Sequence, residues 1–547
     1  MYRSTAFSLL ARRLLLRVVM AALATLVPAS YGYAEQISSG LRAAHALERL
    51  SYGPRPGDID RVSSMGVQTW IDQQLHPNSI ALPATLLRKI DSFDTLRMTP
   101  VELSRTYRKR FFVGAKKQDP EMVKKGLLEA RIIMVQAVQN RFELALNSPR
   151  QLKEVMVDFW FNHFNVFAGK GLDRLWTGAY EQEAIRPYAL GRFRDLLGAT
   201  AKHPAMLFYL DNWQNTAPGS PGAKGKFEGL NENYAREVME LHTLGVDGGY
   251  TQSDVIELAR IFTGWGLVAG AAGVPRRQTL QVMAKISAGG GTGFYFDPRR
   301  HDFGDKVFLG HPIKGSGIAE GEQALDFLAR SPATARHISY QLAQYFVADY
   351  PPESLIRKMV DRWLATDGDI GAVLKTLFDA PEFWDQKYCA NKFKTPYQYA
   401  VSAVRAAGAD PVNIRPLYAV SQQQGMPLYG CVTPDGFKNT QEAWLNPDSM
   451  MRRLSFATAF ANGRLRLYSA DDEASQTAAE TDAPRTAATL RSPLEEVAFQ
   501  PPRPLDPNAL ALAIGNRFSH QTVTAFRQAP PQLRAAMILG SPEFMMR

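Results

Sequence analysis

Apolar residues recur at three- and four-residue spacings through most of the chain, and that period predicts a mainly helical protein. Ala43, Ala44, Ala46, Leu47 and Leu50 form the first stripe, and the run 51–57, rich in Gly and Pro, turns the chain. A helix from Asp58 carries Ile59, Val62 and Met65, and 67–75 repeats the spacing. Between Pro120 and Pro149 a long amphipathic helix places Leu128, Ile132, Val135, Val138, Phe142 and Leu146 on one stripe, and Ser148-Pro149 ends it. The helix that follows runs into an aromatic box, Phe159-Trp160-Phe161-Asn162-His163-Phe164. After the segment 180–187 a further helix is expected over 190–201, with a short one starting at His203-Pro204.

The stretch 229–265 departs from this pattern. It crowds Asn231, Glu232, Asn233, Arg236, Glu237, Glu240 and His242 into about three turns, followed by the Gly245–Gly249 turn and a second helix capped at Thr251 or Ser253. A glycine-rich loop, 269–293, contains Gly289-Gly290-Gly291 without the Lys-Ser/Thr of a phosphate-cradling loop, so it reads as a linker. The strand-like segments Phe294-Tyr295-Phe296 and Lys306-Val307-Phe308-Leu309, with a turn at Asp297-Pro298 between them, then predict a small β-hairpin near 294–309. Helical spacing returns over 332–346, 352–364, 370–378 (with Asp369 as N-cap), 395–407 and 449–461. The expected fold class is therefore mainly α: a multi-helix globular array with that one hairpin and long loops. Residues 35–468 form the main helical domain in this reading. Residues 469–505, rich in Ala, Thr, Asp, Glu and Pro, form a flexible linker or insertion, and 506–547 are C-terminal helices packing back on the main domain.

The N-terminus changes the picture most. Arg3, Arg12, Arg13 and Arg17 precede the apolar run 18–27, and Gly32-Tyr33-Ala34 offers small residues for cleavage before Glu35. This is the pattern of a signal peptide over 1–34, too short in its apolar part for a spanning helix, so the expected location is periplasmic or secreted, with no transmembrane anchor after cleavage. Cleavage would lower the formal charge from +10 to +6, because the segment holds four arginines and no acids. The basic run Arg105, Arg108, Lys109, Arg110, Lys116, Lys117, Lys124 and Lys125 is interleaved with Asp119 and Glu121, which suits a solvated helix face. No nucleic-acid partner is expected of an exported chain. Cys389 and Cys431 are the only cysteines, and in an oxidising compartment a disulfide between them is open.

Glu232, Arg236 and Glu240 follow at i, i+4 and i+8, so they share a helix face as structural ion pairs, with Glu237 nearby and His242 on a different side. The candidate catalytic residues are His163, set among aromatics, Glu237, Glu240, His301 and Asp302. A glutamate beside an aromatic box can have a raised pKa and serve as a general acid or base. No His-Glu-x-x-His, Cys/His zinc spacing or Gly-x-Ser-x-Gly elbow is present, so the cofactor is unknown and a divalent metal, though open, is not favoured.

Several phrases together resemble a known family: Phe159-Trp160-Phe161-Asn162-His163-Phe164, residues 185–193, Lys202-His203-Pro204-Ala205-Met206-Leu207, residues 231–249, His301-Asp302, Lys394-Thr395-Pro396 and Thr433-Pro434-Asp435-Gly436. Their order resembles the bacterial domain of unknown function 1800 family, over about residues 40 to 547. The resemblance implies mostly helical, exported bacterial proteins without an established reaction. It also implies a partner class, a second exported protein with a phosphatase-like or sulfatase-like fold. Two functions remain: an exported enzyme, such as a hydrolase, with its five candidate side chains around one pocket at the 229–265 hairpin, or a non-catalytic binding or assembly protein acting with another exported protein.

Overall fold

A computed structural model of the chain describes residues 39–108, 120–268, 293–467 and 504–547. The leader pattern over 1–34, four lysines and arginines of the basic run (Lys109, Arg110, Lys116, Lys117), the Gly289–Gly291 run and most of the 469–505 segment lie outside the described residues.

The long amphipathic segment forms one helix, Pro120–Asn147, and its Ile133, Ala137, Phe142 and Leu146 are fully buried. The aromatic segment forms the next, Gln151–His163, which buries nearly every side chain it carries, so it runs through the interior and not along the surface. Trp160 satisfies its indole N–H on Ala189 O at 2.9 Å, as a buried tryptophan must. Around these two helices a single connected core extends from the first helix, Ser39–Leu50, to Phe544 and Met545 near the C-terminus. Tyr397, from the helix Pro396–Ala406, meets Phe142 edge-on at 5.2 Å and Tyr52 at 5.5 Å, joining the two halves of the chain.

The helices Ile318–Arg330, Pro332–Phe346, Glu353–Thr366 and Ile370–Asp379 pack in chain order. Their starts follow local chemistry: Ser331 Oγ accepts Ala333 N–H at 3.2 Å, and Asp369 Oδ1 accepts Ala372 N–H at 2.7 Å. The last helices, Pro507–Ala513, His520–Gln528, Pro531–Leu539 and Pro542–Met545, are tied to 392–399 by main-chain bonds. Arg547 N–H donates to Lys392 O at 2.8 Å, and Lys394 N–H to Met545 O at 2.8 Å.

Charges also enter this core. Arg141 bonds Asp158 and, at 2.7 Å, Glu181, while Arg186 bonds Glu181 at 2.9 Å and Glu154 at 2.6 Å. Tyr429 donates its hydroxyl to the same Glu181 at 2.8 Å. Burial pushes the Glu181 pKa up, but the two guanidiniums outweigh it and hold the carboxyl below its ordinary value.

Among the described residues the sheets are two antiparallel pairs. Both strand-like segments of the expected hairpin are strands, but each pairs elsewhere. Phe294–Phe296 pairs with Trp265–Leu267, and Lys306–Phe308 pairs with His311–Ile313. Two local effects separate them. Asp297 caps a short 3₁₀ turn, Pro298–Arg300, that breaks the strand direction. Leu309 and Gly310 both adopt positive φ, +50° and +77°, the combination of a two-residue type I′ hairpin turn. The two cysteines are free thiols in separate surroundings, not the bridge that their even number left open. Cys389 Sγ contacts Asp385 O at 3.8 Å, whereas Cys431 Sγ contacts Thr433 O at 3.7 Å, and burial raises both thiol pKa values. Among the described residues no helix is long and apolar enough to cross a membrane.

Candidate functional site

The polar hairpin begins with a relay of asparagines. Asn215 Oδ1 accepts Asn231 N–H at 2.9 Å, and Asn231 Oδ1 accepts Asn233 N–H at 3.0 Å, which launches the helix Asn233–Glu240. Its inner face buries Tyr234, Ala235, Val238 and Met239. On the outer face Arg236 stands between Glu232 at 3.1 Å and Glu240 at 3.6 Å. Gln252 braces this ladder, accepting from Arg236 at 2.9 Å and donating to Glu232 at 2.8 Å. The second helix, Gln252–Ile261, is capped by Thr251 with Asp254 in a capping box. Asp254 also accepts Leu309 N–H at 2.9 Å, which fixes the hairpin to the ribbon beyond it.

Glu237 differs from its neighbours. Its carboxyl is half-buried one turn from Glu240, and burial, the Glu240 charge and Asp435 together push its pKa up against the opposing pull of Arg236. Asp435 arrives on the loop Thr433-Pro434-Asp435-Gly436, where Thr433 Oγ1 donates to it at 2.6 Å and Lys438 Nζ at 2.8 Å. Two asparagines of the aromatic box hold that loop in place. Asn162 exchanges two bonds with Phe437, 2.8 Å to its carbonyl and 2.7 Å from its N–H, and Asn165 donates to Thr433 O at 2.8 Å. Tyr209 donates to Val432 O at 2.7 Å.

Gly436 makes the approach possible. Its φ is +68°, and a Cβ there would stand 2.2 Å from Asn162 O. Gly436→Ala is therefore expected to lower stability by about 1–3 kcal/mol through strain and displacement of the loop. Thermal melting and limited proteolysis would show this as a lower Tm with new cleavage near 433–438; an unchanged melt and digest would refute it.

His163 lies beneath the hairpin, buried among Phe159, Trp160 and Phe164, with Nε2 3.1 Å from His242 O. Burial drives its pKa down to about 3, and the nearby His337 adds to the fall. The rings of His242 and His337 stand 5.9 Å and 6.5 Å from it. All three imidazoles have lowered pKa values, chiefly through burial. His301 is buried elsewhere, with Nδ1 2.8 Å from Thr263 O and Nε2 2.9 Å from Glu320. Lys306 completes that cluster at 2.6 Å from Glu320. Asp302 accepts from Arg260 at 2.8 Å and from Gly304 N–H at 2.8 Å; these bonds outweigh its burial and keep its carboxyl below the ordinary value.

The five candidates thus fall into three neighbourhoods: His163 in the buried layer, Glu237 with Glu240 on the hairpin face, and His301 with Asp302 in the Arg260–Glu320 ion cluster. Among the described residues no side-chain hydrogen bond or ion pair joins one neighbourhood to another. Nor does any group of three or more His, Cys, Asp or Glu side chains among them have an arrangement able to hold a metal ion. The fold brings to the Glu237 face residues that helical spacing alone does not single out: Asp435, Asn162, Asn165, Tyr209 and, near Glu240, Tyr250. Asn162 and Asp435 stand inside phrases conspicuous in the sequence, and Asn165 just past one of them, but only the fold shows that they meet.

The model of a family described as protein of unknown function (DUF1800) matches residues 45–546. No curated protein and no solved structure matches the chain.

Proposed function

We infer that this chain, which belongs to that family of unknown function, is an exported protein that performs acid–base chemistry of a hydrolytic kind on the polar face around Glu237 and Glu240. One observation carries the reading: two glutamates a single turn apart occupy opposed environments. Glu240 has Arg236 as its ion-pair partner, at 3.6 Å. Among the described residues Glu237 has no ion-pair partner; it is half-buried, and burial and two neighbouring carboxylates raise its pKa against the pull of Arg236. A glutamate whose surroundings disfavour its charged form, one turn from an ion-paired glutamate, is suited to donate a proton. Glu237 would supply the proton to a leaving group, water would add to the opened centre, and its proton would return to Glu237. The basic leader followed by a short apolar run supports export.

The test is a panel of chromogenic esters, glycosides and phosphate esters, run with the mature chain and with Glu237→Gln. A true substrate should lose about 10²–10⁴-fold in kcat in the variant, with stability retained. Equal rates in the two proteins, or no turnover of any class, would defeat this reading. A second reading, binding or assembly with another exported protein, is favoured by one feature. A cavity of about 460 Å³ between the C-terminal helices is walled by Ala511, Phe518, Val523, Phe526 and Ile538, beside the exposed Leu512. A partner with a phosphatase-like or sulfatase-like fold is the occupant this reading proposes.

A further inference from the structure

A cavity of about 650 Å³ lies apart from the candidates above, where two conspicuous sequence phrases meet: Tyr188 from 185–193, and Lys202 and His203 from 202–207. Its size falls within the range of small-molecule sites. Its charged lining is four carboxylates, Glu183, Asp195, Glu322 and Asp326, against two cations, Arg194 and Lys202. Both cations are spent. Arg194 spans Asp326 at 2.5 Å and Glu322 at 2.7 Å, and Lys202 takes Glu322 at 2.9 Å. Among the described residues this leaves Glu183 and Asp195 with no lysine or arginine partner.

His203 defines how Glu183 is held. Its Nδ1 accepts the Ala205 N–H at 3.1 Å, so the lone pair is on Nδ1 and the ring proton on Nε2. The ring is only 2% exposed, and burial lowers its pKa even though Glu183 pulls it back up. A neutral imidazole cannot neutralise a carboxylate. The Nε2–H points at Glu183 Oε2 from 3.6 Å, and both of these atoms are buried without a hydrogen-bond partner. Glu183 is nevertheless 29% exposed, so the open part of its side chain faces the cavity that it lines. Phe294 and Tyr188 supply aromatic wall beside it.

We propose that this cavity binds a small organic ammonium ion, with the charge against Glu183 and Asp195 and the apolar or ring portion against Phe294 and Tyr188. An anion would meet an acidic excess whose only cations are already paired. A bare metal ion would gain nothing from the aromatic wall, whereas an ammonium group attached to a ring gains from carboxylate and π-face together. His203 acts here as a positioning residue, an N–H fixed by the backbone that keeps one oxygen of Glu183 turned inward.

The experiment is calorimetric titration of the mature chain with phenethylammonium, set beside 2-phenylethanol and 3-phenylpropionate as neutral and anionic probes of similar shape. The expected result is saturable binding of one ammonium ion per chain, at least about tenfold tighter than either counterpart, since a charge-assisted bond to a partly desolvated carboxylate is worth that much or more. Glu183→Gln should weaken it by about tenfold or more while its melting curve stays cooperative. Should that variant not fold, Asp195→Asn and Phe294→Ala are read in its place, and both should weaken binding. No saturation, equal affinity for the alcohol, or unchanged affinity in folded variants would overturn the proposal.

Discussion

Replacing Glu181 by alanine is expected to lower stability by about 3–5 kcal/mol, the largest single-residue effect among these predictions. Glu181 is 1% exposed and serves three donors: Arg141 at 2.7 Å, Arg186 at 2.9 Å and the Tyr429 hydroxyl at 2.8 Å. The alanine variant leaves a desolvated guanidinium, Arg141, with Asp158 as its one remaining carboxylate. Arg186 keeps Glu154 and suffers less. The comparison that gives this number meaning is Arg236→Ala on the hairpin. That residue also bridges two carboxylates, but all three side chains are 27–37% exposed, and exposed pairs are worth about 0–1 kcal/mol each. Urea unfolding of the two variants should therefore separate clearly, with Glu181→Ala shifting the midpoint several times further at an unchanged slope. Similar small shifts would mean that the buried network is held together by surrounding packing and contributes little itself.

The same contrast explains what could be read from the sequence. Helix positions were legible because a 3.6-residue period survives even in helices buried on several sides: 332–346 is observed as Pro332–Phe346, and Asp369 caps the helix expected after it. The membership of the long chain in one helical family was legible from phrases in a fixed order. Strand pairing was not, because three-residue strands carry too little alternation to name a partner, and Phe294–Phe296 pairs with a strand, Trp265–Leu267, that is distant in sequence. The site was half legible. The hairpin and its Glu232–Arg236–Glu240 geometry follow from one angle per residue. The joining of Asn162 to Phe437, or of Asp435 to the surroundings of Glu237, spans some 200 residues or more of sequence, and no local pattern encodes it. Nor could spacing reveal that His301 faces Glu320 and Lys306, partners that give it a structural setting.

Acidification is expected to unfold the chain well before its carboxylates are fully protonated, and His163 should account for a measurable share. Of nine histidines, five (His45, His163, His203, His242 and His337) are held below their ordinary pKa, in each case first of all by burial. An imidazole whose folded pKa lies below the unfolded value of about 6.5 binds fewer protons folded than unfolded. Its contribution to stability is therefore complete above that pH and declines as pH falls towards the folded value. His45 and His163 both sit at about 3, so each loses its contribution across the window from about 6.5 down to 3. The loss is about 1.4 kcal/mol per pH unit per group, or about 5 kcal/mol for the two between pH 6.5 and 4.5, comparable to the whole stability of a marginal domain. Asp158, Asp173 and Glu143, raised by burial, run the other way and ease part of the loss, so the bare acid midpoint cannot be assigned to one residue. The slope can. Urea unfolding at several pH values between about 4.5 and 6 should show stability falling less steeply in His163→Gln than in the wild type, by about 1.4 kcal/mol per pH unit. Glutamine retains a donor for His242 O, and a uniform loss of stability in the variant would not mimic the change in slope. Parallel lines for the two proteins would show that His163 takes up no proton on unfolding, and would remove the buried layer beneath the Glu237 face as a source of acid sensitivity.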